Sequence, residues 1–249
     1  MNLSHAKNIS HTTWRKFTNY VVNYMELGYK NLQFSANIAP EVGKTINPRG
    51  NKGESMITAC NTAYNVNVMN DHAKQYFGRA FGEVLRAYEG TYCKAVILCV
   101  GTDRITGDSL GPLTGYKLLP LFNKLASPPA LYGTLETPVH ALNMGDFVSD
   151  IYKKYSAPLV VVIDASLGLP RHIGRLTLKQ GGIYPGSAVG KKMPAIGDIS
   201  VTGVVNYYHC PEYSILQNTR LNTVMKMAEV ISDGIFQGLT ETSRLHGSF

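Results

Sequence analysis

The sequence has little cysteine, few charged residues and no long hydrophobic run. Its four cysteines, spread over 249 residues, form no Cys-x-x-Cys pair, which argues against a disulfide scaffold or a cysteine-rich zinc module and favours buried, reduced thiols. Apolar stretches such as 159–163 are far shorter than the roughly 20 residues that span a bilayer. The first residues contain no apolar segment of the kind found in secretory signals. We therefore expect a cytoplasmic protein without a membrane partner.

The charge that is present is unevenly distributed. The chain carries a net charge of +7, and residues 1–52 contain seven basic residues against only Glu26 and Glu41. Such an arm could contact nucleic acid or an acidic surface, or it could be a solvated extension. Residues 36–58 are rich in Gly and Pro, which is typical of a linker. We therefore predict an N-terminal extension over residues 1–66, with one amphipathic helix near Trp14, and a single domain over residues 67–249.

The pattern of the second segment predicts an α/β domain. Two continuous apolar runs, 95–100 and 159–163, are typical of strands that are buried on both faces. Segments with helical spacing of apolar residues alternate with the strand candidates, which favours a mostly parallel sheet flanked by helices. The predicted helices cover about 70–88, 111–125, 143–155 and 216–235, and the further strands cover 131–135, 173–178 and 195–205.

Carboxylates follow three of the predicted strands. Asp108 lies in the loop after the first buried strand, Glu136 ends the second strand with His140 four residues later, and Asp164 follows the third. Sites in parallel sheets form beyond the carboxyl ends of the strands, so these groups can meet at one edge. Two close carboxylates can divide acid and base roles, whereas three or four such ligands could hold a divalent metal. The alternatives are a helix N-cap for Asp108 and a loop-amide acceptor for Asp164.

A glycine-rich segment, GGIYPGSAVGKK at 181–192, is the other notable feature. It lacks the G-x-x-x-x-G-K-[ST] spacing of a phosphate loop, which argues against nucleotide binding. Ser187 and Lys191 could instead line a substrate groove. Cys99 lies within a predicted buried strand, where we expect its thiol to be inert.

Five segments carry a family resemblance: GTDRITGDSLGP (101–112), YGTLETPVHALN (132–143), VVVIDASLG (160–168), GGIYPGSAVGKKMPAIGDISVTGVVN (181–206) and LQNTRL (216–221). Together they resemble the YyaC-type sporulation proteins, from about residue 70 to residue 238. That family is similar to the germination protease that degrades small acid-soluble spore proteins, and more distantly to hydrogenase maturation proteases. The resemblance implies a three-layer α/β fold of the phosphorylase/hydrolase-like kind.

The resemblance also implies roles for particular residues. The germination protease resembles an aspartic-type peptidase with two essential aspartates, and its two motifs match Asp108 in Asp-Ser-Leu-Gly-Pro and Asp164 in Ile-Asp-Ala. Its glycine-rich loop begins with a histidine, where this sequence has Tyr184. Hydrogenase maturation proteases sense nickel with acidic residues and a histidine, for which Asp108 is a loose match and His140 a candidate.

We therefore expect a sporulation-associated peptidase that needs no cofactor. Asp108 and Asp164 would activate water, and Ser187 and Lys191 would contact a peptide or protein substrate, with small acid-soluble spore proteins as candidates. Glu136 would either contact the substrate or tune the proton affinity of the two aspartates. The two alternatives are a non-catalytic binding module on the same fold and a metal-dependent amidase. The amidase would use Asp108, Glu136, His140 and Asp164 as ligands.

Overall fold

The computed structural model describes residues 63–183, 195–208 and 212–245. Outside these residues lie the predicted amphipathic helix near Trp14, the whole of the basic arm, and the loop residues Tyr184, Ser187 and Lys191. The described elements, in chain order, are β1 Ala63–Asn67, α1 Ala73–Arg86, β2 Lys94–Cys99, α2 Leu110–Phe122, β3 Ala130–Tyr132, α3 Met144–Lys154, β4 Pro158–Gly168, β5 Arg175–Gln180, β6 Ile199–Tyr207, α4 Glu212–Gln217 and α5 Leu221–Leu245.

One six-stranded sheet, with the strand order β1-β5-β6-β4-β2-β3, organises these elements. Strands β6, β4, β2 and β3 run parallel to one another, while β5 and β1 add antiparallel pairs at one side. The apolar runs of β2 and β4 pair with each other over Lys94–Cys99 and Pro158–Ile163. Because these two strands are central, both of their faces are covered, and their sequences are continuously apolar.

Helices cover the sheet on both faces and produce three layers. Helices α1, α2 and α5 enclose the larger core with side chains such as Phe77, Leu118 and Ile231. Helix α3 covers the opposite face, where Val148 and Ile151 pack with Val96, Leu98, Val160 and Val162. These layers confirm the predicted three-layer α/β class with a mostly parallel sheet. None of the helices in the described ranges has both the length and the apolar character that a bilayer span requires.

Small residues bring helices α1 and α5 into close contact. A Cβ atom added at Gly238 would lie 2.8 Å from the carbonyl oxygen of Gly78, so any larger side chain there would separate the two helices. The same packing explains why α5 continues through Gly234 to Leu245, beyond the predicted end near residue 235. Its apolar face is buried against α1 and the sheet, and this burial outweighs the low helix propensity of glycine.

The largest departure from the predicted elements is strand β1. It pairs with β5 from Ala63↔Lys179 to Asn67↔Arg175, so residues 63–66, expected in the extension, belong to the sheet. Only Val66 of its five residues is buried, which is why the strand has no strong hydrophobic pattern. The division into an extension and a domain otherwise stays a prediction, because residues 1–62 are not described. Cys93 is exposed, contrary to the expectation of buried thiols.

Candidate active site

Asp108 is held by the loop that follows β2. It ends a short 3₁₀-helix, Thr106–Asp108, and the Thr102 N–H donates to its Oδ2 at 3.0 Å and to its carbonyl oxygen at 3.1 Å. The loop can close in this way because Gly101 has a φ of 138°, and a Cβ atom there would lie 2.0 Å from the Asp108 carbonyl oxygen. The N-cap alternative for Asp108 is wrong: Ser109 occupies the N-cap of α2, and the Asp108 carboxylate binds upstream.

Asp164 lies within β4 rather than after it. The strand continues to Gly168 because its pairing with β6 extends to Gly168↔Tyr207. The Asp164 Oδ1 accepts a hydrogen bond from the Ala165 N–H at 2.9 Å. The alternative role predicted for Asp164 was to accept such a bond from a loop amide, but Ala165 belongs to the strand and not to a loop. Val162 packs against α3, so the alternation along the strand places Asp164 on the same face. Its parallel neighbour on β6 is Thr202.

The two aspartates interact electrostatically. Burial raises the pKa of Asp108 to about 6, although the Thr102 N–H opposes this effect. Burial also raises the pKa of Asp164 to about 8, with a further contribution from the charge on Asp108. Neither residue as a whole is completely buried. At neutral pH Asp108 is therefore mostly ionised while Asp164 holds a proton, as in carboxyl pairs that divide base and acid roles.

Each carboxyl group has one oxygen bound to the backbone and one that is available. Within residues 63–183, 195–208 and 212–245, no protein donor contacts Oδ1 of Asp108 or Oδ2 of Asp164. An ionised oxygen can accept a hydrogen bond from water, and a protonated one can donate a hydrogen bond to a carbonyl oxygen. The arrangement can thus hold a water molecule and polarise an amide at the same time.

Glu136 and His140 have different surroundings. Glu136 is exposed in the loop after β3. His140 forms the turn before α3: its Nδ1 accepts the Leu142 N–H at 3.2 Å, and its own N–H donates to Asn143 Oδ1 at 2.8 Å. No three His, Cys, Asp or Glu side chains in the described part of the chain are close enough to hold a metal ion. The four candidate ligands therefore do not form such a cluster there.

The glycine-rich segment begins at the opposite end of the parallel strands. The residues that flank its undescribed part, Ile183 and Ile196, form an antiparallel bridge before β6. Gly181 N–H donates to the Asp198 carbonyl oxygen, and Asp198 in turn binds Val160 near the start of β4. Contact of Ser187 and Lys191 with a substrate stays a prediction. Cys99 is completely buried, and burial raises the pKa of its thiol, which supports the expectation that it is inert.

Sequence reasoning missed the neighbour of Asp164, Thr202, because β6 was a weak strand candidate. The alternation of Ser200, Thr202 and Val204 with Ile199, Val201 and Gly203 was the available signal.

A groove of about 580 Å³ lies between α2 and α5, beside Tyr116 and Asp233, and includes neither aspartate.

The fold and the site define a three-layer α/β protein with an interacting aspartate pair, of which Asp164 lies on β4 and Asp108 on the loop that follows the neighbouring strand β2. A family model described as "Protein of unknown function (DUF1256)" matches residues 65–234, and the chain belongs to that family. It is 46% identical over 144 residues to "Uncharacterized protein YyaC" of Bacillus subtilis (strain 168), which covers 56% of this chain and 67% of the relative. The predicted YyaC-type resemblance is thereby confirmed.

A solved structure with similarity to the chain is the NiFe hydrogenase maturation protease HycI from Thermococcus kodakarensis KOD1. The match has a TM-score of 0.40 and 18% sequence identity, and it covers 61% of this chain and 98% of that protein.

Proposed function

We propose that the chain is a peptidase that hydrolyses a peptide bond with water activated by Asp108 and Asp164. The observation that supports this most strongly is the burial of two interacting carboxyl groups, one on β4 and one on the loop after β2, which raises the pKa of Asp108 to about 6 and that of Asp164 to about 8. A base that is ionised and an acid that is protonated at the same pH are what amide hydrolysis requires.

The proposed reaction uses the available oxygen of each carboxyl group to move one proton in each of two steps. The Asp108 carboxylate accepts a proton from water, and the water oxygen forms a bond to the carbonyl carbon. Asp164 donates its proton to the carbonyl oxygen, which neutralises the negative charge that develops there. In the second step the C–N bond breaks, the proton held by Asp108 passes to the leaving amine, and Asp164 regains its proton as the carbonyl re-forms. The products are a carboxylic acid and an amine.

The substrate is proposed to be a peptide or protein. The YyaC-type resemblance favours a role during sporulation, in the cytoplasm of the sporulating cell or forespore, and makes small acid-soluble spore proteins the first substrates to test. Glu136 is exposed in the loop after β3, from which it could contact a bound chain. Ser187 and Lys191 are proposed contacts on the glycine-rich segment.

The direct test mixes purified full-length protein with small acid-soluble spore proteins and follows fragments by mass spectrometry. We expect cleavage by the wild type and by Asp103→Asn, a control that replaces an exposed aspartate in the loop containing Asp108. Asp108→Asn and Asp164→Asn should each lower the rate by at least about 100-fold, the usual order for loss of an acid or base. Full activity in either variant would refute the mechanism. Binding without fragments would favour the non-catalytic module, and loss of cleavage with a chelator would favour the metal-dependent amidase.

A further inference from the structure

A row of polar side chains crosses the sheet from Asp164 to the edge strand. The pairing registers place Asp164 beside Thr202, Thr202 beside Thr177, and Thr177 beside Asn65. Because paired residues point to the same face, all four side chains project on the face that α3 partly covers. Thr177 Oγ1 donates to Asn65 Oδ1 at 2.9 Å, which directly links the last two members. We call this row, from Asp164 to Asn65, the polar row.

Helix α3 covers only part of this face. The core between α3 and the sheet contains residues of β2 and β4 but none of β1, β5 or β6. The other described helices that contribute apolar side chains pack into the core on the opposite face of the sheet. On β5 the two faces differ sharply, since Leu176 and Leu178 are fully buried in that opposite core, whereas Thr177 is partly exposed. The polar row therefore lies beside the helix-covered region and continues outward from the aspartate pair.

The surroundings of the polar row are basic. Arg175 and Lys179 flank Thr177 on the same face of β5, Arg175 exposed and Lys179 partly exposed. Neither forms an ion pair with any residue that the structure describes. Asp164 is the single carboxylate that the described strands β1, β5, β6 and β4 place in the row or its two neighbouring rows on this face. The free cations near neutral hydrogen-bonding groups are complementary to an acidic ligand.

We propose that the polar row, with Arg175 and Lys179, is the substrate-binding surface of the aspartate pair and takes an extended acidic polypeptide segment. The proposal rests on the proposed peptidase function, because it places the scissile bond at Asp164. Hydroxyl and amide groups of Thr202, Thr177 and Asn65 would bind the main chain of the segment, and the two cations would bind its carboxylate side chains.

The dimensions of the sheet set the length of this segment. Neighbouring strands are roughly 4.8 Å apart, so three spacings from Asp164 to Asn65 amount to about 14 Å. An extended chain advances about 3.4 Å per residue, so about four substrate residues on one side of the cleaved bond would lie along the polar row. Acidic residues within those four positions are expected to matter, whereas residues further away are not.

The test measures binding separately from cleavage. Three fluorescent probes are titrated with the full-length protein by anisotropy: a peptide of alternating Ser and Glu, its Ser and Lys counterpart, and an oligothymidylate of similar length. The protein is used as wild type, as the double variant Arg175→Gln/Lys179→Gln, and as the control Lys117→Gln/Lys124→Gln. The control removes the same charge from one exposed and one partly exposed residue at the groove between α2 and α5.

We expect the wild type to bind the Glu peptide more tightly than the other two probes. The Arg175/Lys179 variant should bind the Glu peptide at least about tenfold more weakly, because two contacts with the ligand are lost. The control variant should bind it as the wild type does. Asp108→Asn should keep this binding although it does not cleave, so a failure of the peptidase proposal would leave the binding result intact. Absence of a preference for the Glu peptide, tighter binding of the oligothymidylate, or equal weakening in the control would overturn the proposal.

Discussion

Replacing Asp164 with Asn should remove a pH dependence from the stability of the fold. Burial, together with the charge on Asp108, raises the pKa of Asp164 to about 8, whereas an unfolded aspartate titrates near 3.9. At a pH between these two pKa values, Asp164 holds a proton in the folded state that it has released in the unfolded state. The contribution of this proton to stability is complete below about pH 4 and is lost as the pH rises to about 8.

The magnitude follows from linkage. One extra proton in the folded state gives a slope of about −1.4 kcal/mol per pH unit in the free energy of unfolding. From pH 5 to pH 7 the free energy of unfolding of the wild type should therefore fall by up to roughly 3 kcal/mol relative to that of Asp164→Asn. Because Asp164 as a residue is not completely buried, we expect at least about half of this difference to be observed.

Urea unfolding of the full-length protein at half-unit pH intervals from 5 to 9 measures this difference. Asp103→Asn, which replaces an exposed aspartate in the loop after β2, is the matched control and should not reproduce the change in slope. A constant difference between wild type and Asp164→Asn across this range would refute the assignment of a proton to Asp164 at neutral pH. A difference that grows with pH in favour of the wild type would refute the sign of the pKa shift.

Three further predictions concern the site and its support. The rate of cleavage should rise with pH as Asp108 ionises near 6 and fall as Asp164 loses its proton near 8, and a pH–rate profile checks both limbs. Gly101→Ala should destabilise the protein by about 2 kcal/mol or more, because a Cβ atom would collide with the Asp108 carbonyl oxygen; thermal unfolding measures this, and an unchanged midpoint would contradict it. Ser200→Ala should leave stability unchanged or raise it by up to about 1 kcal/mol, because its buried hydroxyl has no partner in the described structure; a loss in urea unfolding would contradict this.

The central part of the fold was predictable because burial leaves a strong signal in the sequence. Strands β2 and β4 are covered on both faces, so their apolar runs revealed them. Strand β1 was not predicted, since an edge strand with one buried residue has no such run. The extension of β4 beyond Ile163 depends on pairing with β6, which a local pattern does not contain.

The site was predictable in its members but not in its arrangement. The rule that parallel strands end at one edge, together with the matched motifs, identified Asp108 and Asp164 as a pair. The same rule grouped Glu136 and His140 with them, although one is exposed and the other forms a turn. Loop geometry distinguishes Asp108 from Glu136 and His140. The left-handed backbone of Gly101 and the Thr102 N–H hold the Asp108 side chain in the site, and the spacing of residues in the sequence does not predict this geometry.

The protonation of the aspartate pair can be measured without knowledge of the substrate. Carbon-13 NMR of the aspartate carboxyl carbons, assigned with Asp108→Asn and Asp164→Asn, reports the titration of each group in the full-length protein. The account predicts one transition near pH 6 for Asp108 and one near pH 8 for Asp164, with the second shifted to lower pH in Asp108→Asn. Titration of both carboxyl groups near pH 4, with no effect of either substitution on the other, would contradict the claim that they act as an acid and base pair.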